Sequence, residues 1–517
     1  MTEKPRILWA DDEIDMLKPH ILFLEEKGYD ITAVNNGKDA IDEVVKRHFD
    51  IVFLDENMPG INGLAALQKI KEFNPQLPVI MITKSEEESI MEDAIGSKIS
   101  DYLIKPVNPK QILLAIKKNL EEKQLVSDKN TQDYRQEFRE ISMRISERLD
   151  HSEWADLYRK MSHWAMMLSN SEEGMDEILA SQWKDANDQF SKFYKQYYTQ
   201  WLKPGATGPL MSHTLFKSKV LPLLKETNEQ VLMLVIDNLR YDQWRTIQPK
   251  FREYFRIESD EIFYSILPTA THYARNALFA GLMPAEIERV HPQLWVGEET
   301  EGGKNMHEEA LLAAQLKRLG LDLRWSYHKI TNLQAGKKLT DQFSNIAGNR
   351  LNAVVYNFVD MLSHARTEME VIKELASDEA AYRSITASWF EHSPLAELVK
   401  KAAEAGHTIV VCTDHGTIRV QNPVKVVGDR NTNTNLRYKT GRNLNYNPKE
   451  VFEVRNPADI YLPKSGLSST FIFAESDDFF VYPNNYNQFV HFYENTFQHG
   501  GISMEEVMIP VSVMRGK

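Results

Sequence analysis

The 517-residue sequence predicts an α/β multidomain protein: a doubly wound parallel sheet, then a helical bundle, then a larger α/β/α layer structure. Three observations predict it. Five short apolar runs alternate with helix-length amphipathic segments over the first 120 residues. A proline-free stretch from Asn119 to Leu202 then carries apolar residues at helical spacing. Beyond it, three near-continuous apolar runs each end in an aspartate. The predicted boundaries are 1–120, 121–208 and 209–517, since a chain of this length exceeds what one ordinary core holds.

Composition narrows the class. Hydrophobic residues make up 42% of the chain and charged residues 26%, the balance of a soluble globular protein. The single cysteine, Cys412, excludes a disulfide framework and fits a reducing compartment. Met1-Thr2-Glu3-Lys4-Pro5 leads straight into a short apolar strand, unlike a secretory signal. The longest apolar runs, such as Val231–Ile236, are far too short to span a bilayer. The expectation is a cytoplasmic chain with no membrane insertion. A net charge of −13 opposes general DNA binding, which rests on neutralising phosphates with Lys and Arg. No helix-turn-helix follows the first region.

In the first region Arg6–Ala10, Asp30–Val34, Asp50–Leu54, Pro78–Ile82 and Asp101–Ile104 read as strands, with helices such as Glu13–Lys27 and Lys38–Arg47 between them. Sheets of this kind gather their functional groups at the carboxyl ends of the strands. There stand Asp11 and Asp12, Asp55, Thr83 and Lys105. An isolated aspartate usually caps a helix or fills a turn. Three carboxylates converging on one edge instead call for a hard cation, Mg²⁺. A carboxylate beside Mg²⁺ can accept a phosphoryl group while a lysine offsets charge on the transferred oxygens. This segment resembles the flavodoxin-like receiver domain of two-component response regulators. The resemblance implies that Asp55 is phosphorylated by a histidine kinase and that Asp11, Asp12, Asp55 and the Asn57 carbonyl hold Mg²⁺. It implies that Thr83 and Lys105 bind the phosphoryl group, that Tyr102 is the switch aromatic, and that Lys105–Pro106 is cis. It also implies a homodimer promoted by phosphorylation.

In the second region Tyr134, Phe138, Ile141, Ile145 and Leu149 recur at spacings of four and three. So do Trp154, Leu157, Met161, Trp164 and Leu168, and then Trp183, Ala186, Phe190, Phe193, Tyr197 and Trp201. These are the apolar stripes of amphipathic helices, and an aromatic stripe at that spacing is core. Ser169–Gly174 separates the second helix from the third, and Pro204-Gly205 with Gly208-Pro209 ends the bundle. The region reads as a helical connector able to pass on a receiver rearrangement.

In the third region Val231–Ile236 runs into Asp237, Ala353–Val359 into Asp360, and Thr408–Thr413 into Asp414-His415-Gly416. Their continuous apolar character predicts strands buried on both faces. Asp360 and His364 share a face if the chain turns helical after its strand, and His499-Gly500-Gly501 adds a further ligand. Mixed His and Asp donors favour Zn²⁺ or Mn²⁺. Leu267-Pro268-Thr269-Ala270-Thr271 opens a helix, whose N-terminus favours an anion.

These elements resemble the alkaline phosphatase superfamily, including its PglZ branch. The resemblance implies one zinc held by Asp237, Thr271, Asp414 and His415, and a second by Asp360, His364 and His499. It makes Thr271 the nucleophile, with Thr269 the competitor. Two cations about 4 Å apart could activate that hydroxyl and stabilise a leaving oxygen. Threonine in this place resembles the phosphodiesterase branch. An asparagine often holds the phosphoryl oxygens a few residues on, the position here of Asn276. From Arg419 to Lys449 basic residues outnumber acids, among them Arg437 and Arg442, with Tyr438 and Tyr446 interspersed. Such runs are usually solvated surface; the place after Asp414-His415 fits an anion-binding lid for a nucleotide or oligonucleotide.

Receiver and effector together resemble response regulators with a PglZ-type effector, which act in type IX secretion and gliding of Bacteroidetes. The rival reading is a signalling scaffold with structural zinc that binds a sigma factor or secretion component. An intact Thr271 argues against it, because a structural site needs no nucleophile.

Overall fold

The structure, a computed structural model, describes residues 4–74, 77–83, 99–168, 175–227, 229–298, 300, 303–362, 378–428, 432–441, 443–464 and 469–517. It divides into two compact units, residues 1–133 with 170–172, and residues 134–169 with 173–517. The expected ligand His364 and the lid residue Arg442 lie outside the described residues.

The first unit is built on β1 (Arg6–Ala10), β2 (Asp30–Val34), β3 (Ile51–Asp55), β4 (Val79–Thr83) and β5 (Asp101–Ile104). They pair in parallel in the order β2-β1-β3-β4-β5, the flavodoxin-like order. Leu8, Ala10, Val52 and Leu54 enter one core, and Ile7, Trp9, Ile51 and Phe53 the other. The two-residue alternation of a strand thus fills both faces. β3 and β4 end one residue later than predicted, so Asp55 and Thr83 are the last residues of their strands.

The second unit contains β6 (Val231–Ile236), β7 (Phe255–Tyr264), β8 (Trp325–Ile330), β9 (Leu351–Tyr356), β10 (Thr408–Cys412) and the strand Met508–Gly516. The sheet order is β7, Met508–Gly516, β10, β6, β9, β8. β10, β6, β9 and β8 are parallel, while Met508–Gly516 runs antiparallel to both its neighbours. Val231, Met233 and Val235 pack into one core, and Leu232, Leu234 and Ile236 into the other.

The helices expected over 121–208 are divided between the two units. Helix Pro109–Ser146 begins in the first unit; from Tyr134 onward it belongs to the second, with His151–Met167 and Met175–Trp201. The stripe residues Trp154, Leu157, Met161, Ala186 and Phe190 share one core with Met233, Tyr264 and Leu267 of the effector. In the last of these helices Tyr194 and Tyr198 are buried in place of the expected Phe193 and Tyr197, which are only partly buried. Asp150 caps its helix through a capping box with Glu153. Periodicity identified these faces as buried; it did not say against what.

Candidate phosphoryl-transfer and metal sites

In the first unit the strand ends bring the predicted residues together. Asp11 and Asp55 are buried and Asp12 is exposed, and one carboxylate oxygen from each lies within 4.8 Å of the others. Lys105 Nζ sits 2.9 Å from Asp11 Oδ2 and 3.0 Å from Asp55 Oδ1. Burial pushes Asp55 up to about 6, against the opposing pull of Lys105. Three close carboxylates answered by one lysine fit Mg²⁺. Thr83 is buried with its hydroxyl donating to the Glu56 carboxylate. Asn57 is exposed two residues past β3, and Tyr102 is 41% exposed on β5. Lys105–Pro106 is cis, as expected.

In the second unit Asp237 follows β6 and Asp414-His415 follows β10, all three fully buried. A ligand atom from each lies within 4.8 Å of the others. Among the described residues Asp237 Oδ1 and Asp414 Oδ2 accept no hydrogen bond. Burial raises both carboxyls above the ordinary range, with Arg275 opposing. His415 Nδ1–H donates to the Gly416 carbonyl at 3.1 Å, leaving the Nε2 lone pair for the cluster. Buried carboxylates that share a single arginine, beside an oriented imidazole, are a donor set that fits a metal ion.

Thr271 is the first residue of the helix Thr271–Ala280, and its Oγ1 lies 3.0 Å from His415 Nε2. Thr269 is differently employed. Its hydroxyl donates to the Gly501 carbonyl at 2.9 Å and accepts Gly500 N–H at 3.0 Å.

The second predicted set is adjacent. Residues 358–362 turn helical after β9 and carry Asp360, whose Oδ1 is 3.9 Å from His499 Nε2. His499 Nδ1–H donates to the Thr269 carbonyl at 3.2 Å, and its ring stacks on His415 at 4.2 Å. Sequence reasoning missed Asn238, which links the two halves. Its backbone N–H donates to Asp414 Oδ1 at 3.1 Å and its side-chain amide to Asp360 Oδ1 at 3.4 Å. The left-handed backbone at Asn238 (φ 63°) was a signal only in retrospect, asparagine tolerating it better than most residues.

Arg275 also had no assigned role. It is buried, with Nη1 2.5 Å from Asp237 Oδ2 and Nε 2.5 Å from Glu308 Oε1. Its place one helical turn beyond Thr271 is visible in the sequence; Glu308 is not. Asn276, expected at the substrate, is buried with its amide donating to the carbonyls of His272 and Lys304 at 2.8 and 3.3 Å. Arg437 is fully buried, its guanidinium on Glu506 at 2.6 Å and on the Asp478 carbonyl. That geometry makes Arg437 a packing residue rather than part of a solvent-facing lid.

Three family models match successive parts of the chain. Residues 7–117 match the response regulator receiver domain and residues 124–202 the PorX response regulator linker domain. Residues 215–514 match the BREX system PglZ alkaline phosphatase-like domain. The receiver is 31% identical over 116 residues to the transcriptional regulatory protein ResD of Bacillus subtilis, 22% of this chain and 48% of that protein. It is 33% identical over 122 residues to the alginate biosynthesis transcriptional regulatory protein AlgB of Pseudomonas aeruginosa, 24% of this chain and 27% of that one. The chain thus spans about half or less of these curated relatives. A CheY-like receiver from Methanospirillum hungatei is 26% identical, covering 23% of this chain and 95% of that one, with a TM-score of 0.23. A receiver domain implies a histidine kinase as partner. Among the described residues no helix is long and apolar enough to cross a membrane. The PglZ match spans more than half of the sequence, and the protein therefore belongs to the PglZ alkaline phosphatase-like family, as a PorX-type response regulator whose receiver and linker precede that domain.

Proposed function

We propose that this chain is a zinc-dependent phosphodiesterase acting on nucleotides or oligonucleotides, controlled by phosphorylation of Asp55. The observation that carries this reading is the division of labour between two threonines. Thr269 spends its hydroxyl on the Gly500–Gly501 backbone, while Thr271 presents its own 3.0 Å from His415 Nε2 at a helix N-terminus.

Asp237, Asp414, His415 and Thr271 would hold one zinc, and Asp360, His499 and His364 the second. When bound, such a pair lowers the pKa of a hydroxyl and stabilises a leaving oxygen. The residues do the rest. Thr271 Oγ is the attacking atom: its bond to phosphorus forms as the bond to the leaving alkoxide breaks. Water then splits the phosphothreonine and restores the hydroxyl. The first N–H groups of Thr271–Ala280 favour the phosphate charge. His415 and His499 are held by carbonyl acceptors on Nδ1, which fixes their tautomers and ring directions.

In the receiver, Asp11, Asp12 and the Asn57 carbonyl would hold Mg²⁺ beside Asp55. Thr83 and Lys105 would take the phosphoryl oxygens and Tyr102 would report the change. Phosphorylation would promote a homodimer, and the cellular role would be control of type IX secretion and gliding.

The test is hydrolysis of bis-p-nitrophenyl phosphate and short oligonucleotides by zinc-loaded protein, beside Thr271→Ala and Thr269→Ala. Thr271→Ala should lower turnover by at least about 10³-fold. Hydrolysis that survives Thr271→Ala, or is absent from zinc-loaded wild type, would sink the reading in favour of a zinc-bearing scaffold.

A further inference from the structure

Three side chains of the connector helix Met175–Trp201 bond to the segment that leads into the short helix Met504–Val507, beside the proposed metal ligands. Asn187, 2% exposed, donates Nδ2–H to Glu505 Oε1 and Oε2 at 3.3 and 3.0 Å and accepts Met504 N–H at 2.7 Å. The Trp183 indole N–H donates to Glu505 Oε1. Ser191 donates to the Ile502 carbonyl at 3.3 Å and accepts Ser476 N–H at 3.3 Å.

The opposite side of that helix supports both histidines. Gly416, next to His415, donates its N–H to the Glu506 carbonyl at 3.2 Å. The approach is so close that a Cβ at Gly416 would lie 2.1 Å from the Glu505 carbonyl oxygen. Gly501, two residues past His499, donates its N–H to Glu506 Oε1 at 2.9 Å. Glu505–Glu506 is therefore a wedge between the connector and the turns that carry His415 and His499.

A buried carboxylate needs donors to be tolerated there. Burial pushes Glu505 up, and the N–H groups of Trp183 and Asn187 pull against it. Side chains of the connector thus hold the Glu505 half of the wedge, while Arg437 holds the Glu506 carboxylate.

We propose that Asn187, together with Trp183, is a positioning residue of the metal centre: by fixing Glu505 it sets the Glu505–Glu506 wedge and so the placement of His415 and His499. This rests on the reading of the histidine–aspartate cluster as a zinc site. It also gives the linker a part in that site beyond carrying the receiver.

The test exchanges donor and acceptor. Asn187→Asp sets a like charge against Glu505, and Glu505→Gln sets one amide donor against another. Combined, the new carboxylate at 187 can accept both Met504 N–H and the new amide at 505, while Trp183 keeps an acceptor. Zinc affinity of the full chain is measured by competition with a chromophoric chelator, alongside thermal unfolding. Each single substitution should weaken zinc binding by about tenfold or more, the usual scale for groups that orient ligands. The double substitution should recover most of it. Single variants that bind zinc like wild type, with or without a lower Tm, would overturn the proposal. So would a double variant as weak as the worse single. Wild type that binds no zinc would instead overturn the metal reading, and this inference with it.

Discussion

The two units solve one electrostatic problem in different ways. Each gathers aspartates at the carboxyl ends of parallel strands, where repulsion and desolvation oppose them. The receiver leaves Asp12 exposed and answers its buried pair with Lys105, whose flexible stem reaches in from a side chain that is 13% exposed. The effector buries Asp237, Asp414 and His415 and answers Asp237 with Arg275, itself locked by Glu308. An open, oxygen-only site suits an ion that exchanges and a phosphoryl group that comes and goes. A closed site with oriented imidazoles suits a resident metal. Burial, more than the number of acids, separates switch from centre.

The largest expected effect is selective loss by metal removal. Dialysis against a zinc chelator should lower diester hydrolysis by on the order of 10³-fold, a few kcal/mol of lost charge stabilisation. Phosphorylation of Asp55 by acetyl phosphate with Mg²⁺ should persist in the same sample, read by mass spectrometry. Zinc should restore hydrolysis where Mg²⁺ does not. Restoration by Mg²⁺ alone would break the distinction between the sites.

The next effect is on stability. Arg275→Gln leaves Asp237 and Glu308 buried without their shared partner, a change that costs about 3–5 kcal/mol. Urea unfolding of metal-free protein should show that loss in the transition of the second unit, and saturating zinc should recover part of it. Lys105→Gln should cost the receiver less, because solvent reaches that lysine. Equal losses would mean the two counter-cations do the same work.

Much of this is legible in the sequence alone. Asp11, Asp55, Asp237 and Asp414 announce themselves because each closes an apolar run, and strand ends are where such sheets act. The unreadable part lies in long-range partners. Nothing local tells that Glu308 will meet Arg275, or that Glu505 will meet Asn187 across 318 positions. The Thr269 hydroxyl is taken up by the Gly500–Gly501 backbone, a partner that no motif places. Arg437 shows the converse failure. A basic run reads as solvated or ligand-facing, yet Glu506 draws this arginine fully inside. The connector's stripes were legible as buried, but the partner turned out to be the effector sheet.

The smallest effect tests the cost of burying Asp55 in the receiver. An unfolded aspartate titrates near about 3.9, whereas burial holds folded Asp55 at about 6 without metal. Between those values the folded receiver binds more protons than the unfolded one, so its stability falls as pH rises from about 4 to about 6 and then levels. Asp55→Asn removes that cost and should stabilise the metal-free receiver at pH 7 by up to about 3 kcal/mol. Below about pH 4 the gain should vanish, because both carboxyl states are then protonated. Hydrogen exchange over β1, β3 and β4 in the full chain reads the difference locally. Mg²⁺ should raise protection in wild type and much less in the variant, which has lost a ligand. Equal protection of both proteins at pH 7 would mean that Lys105 already balances the site, leaving the receiver no excess charge for Mg²⁺ or a phosphoryl group to relieve.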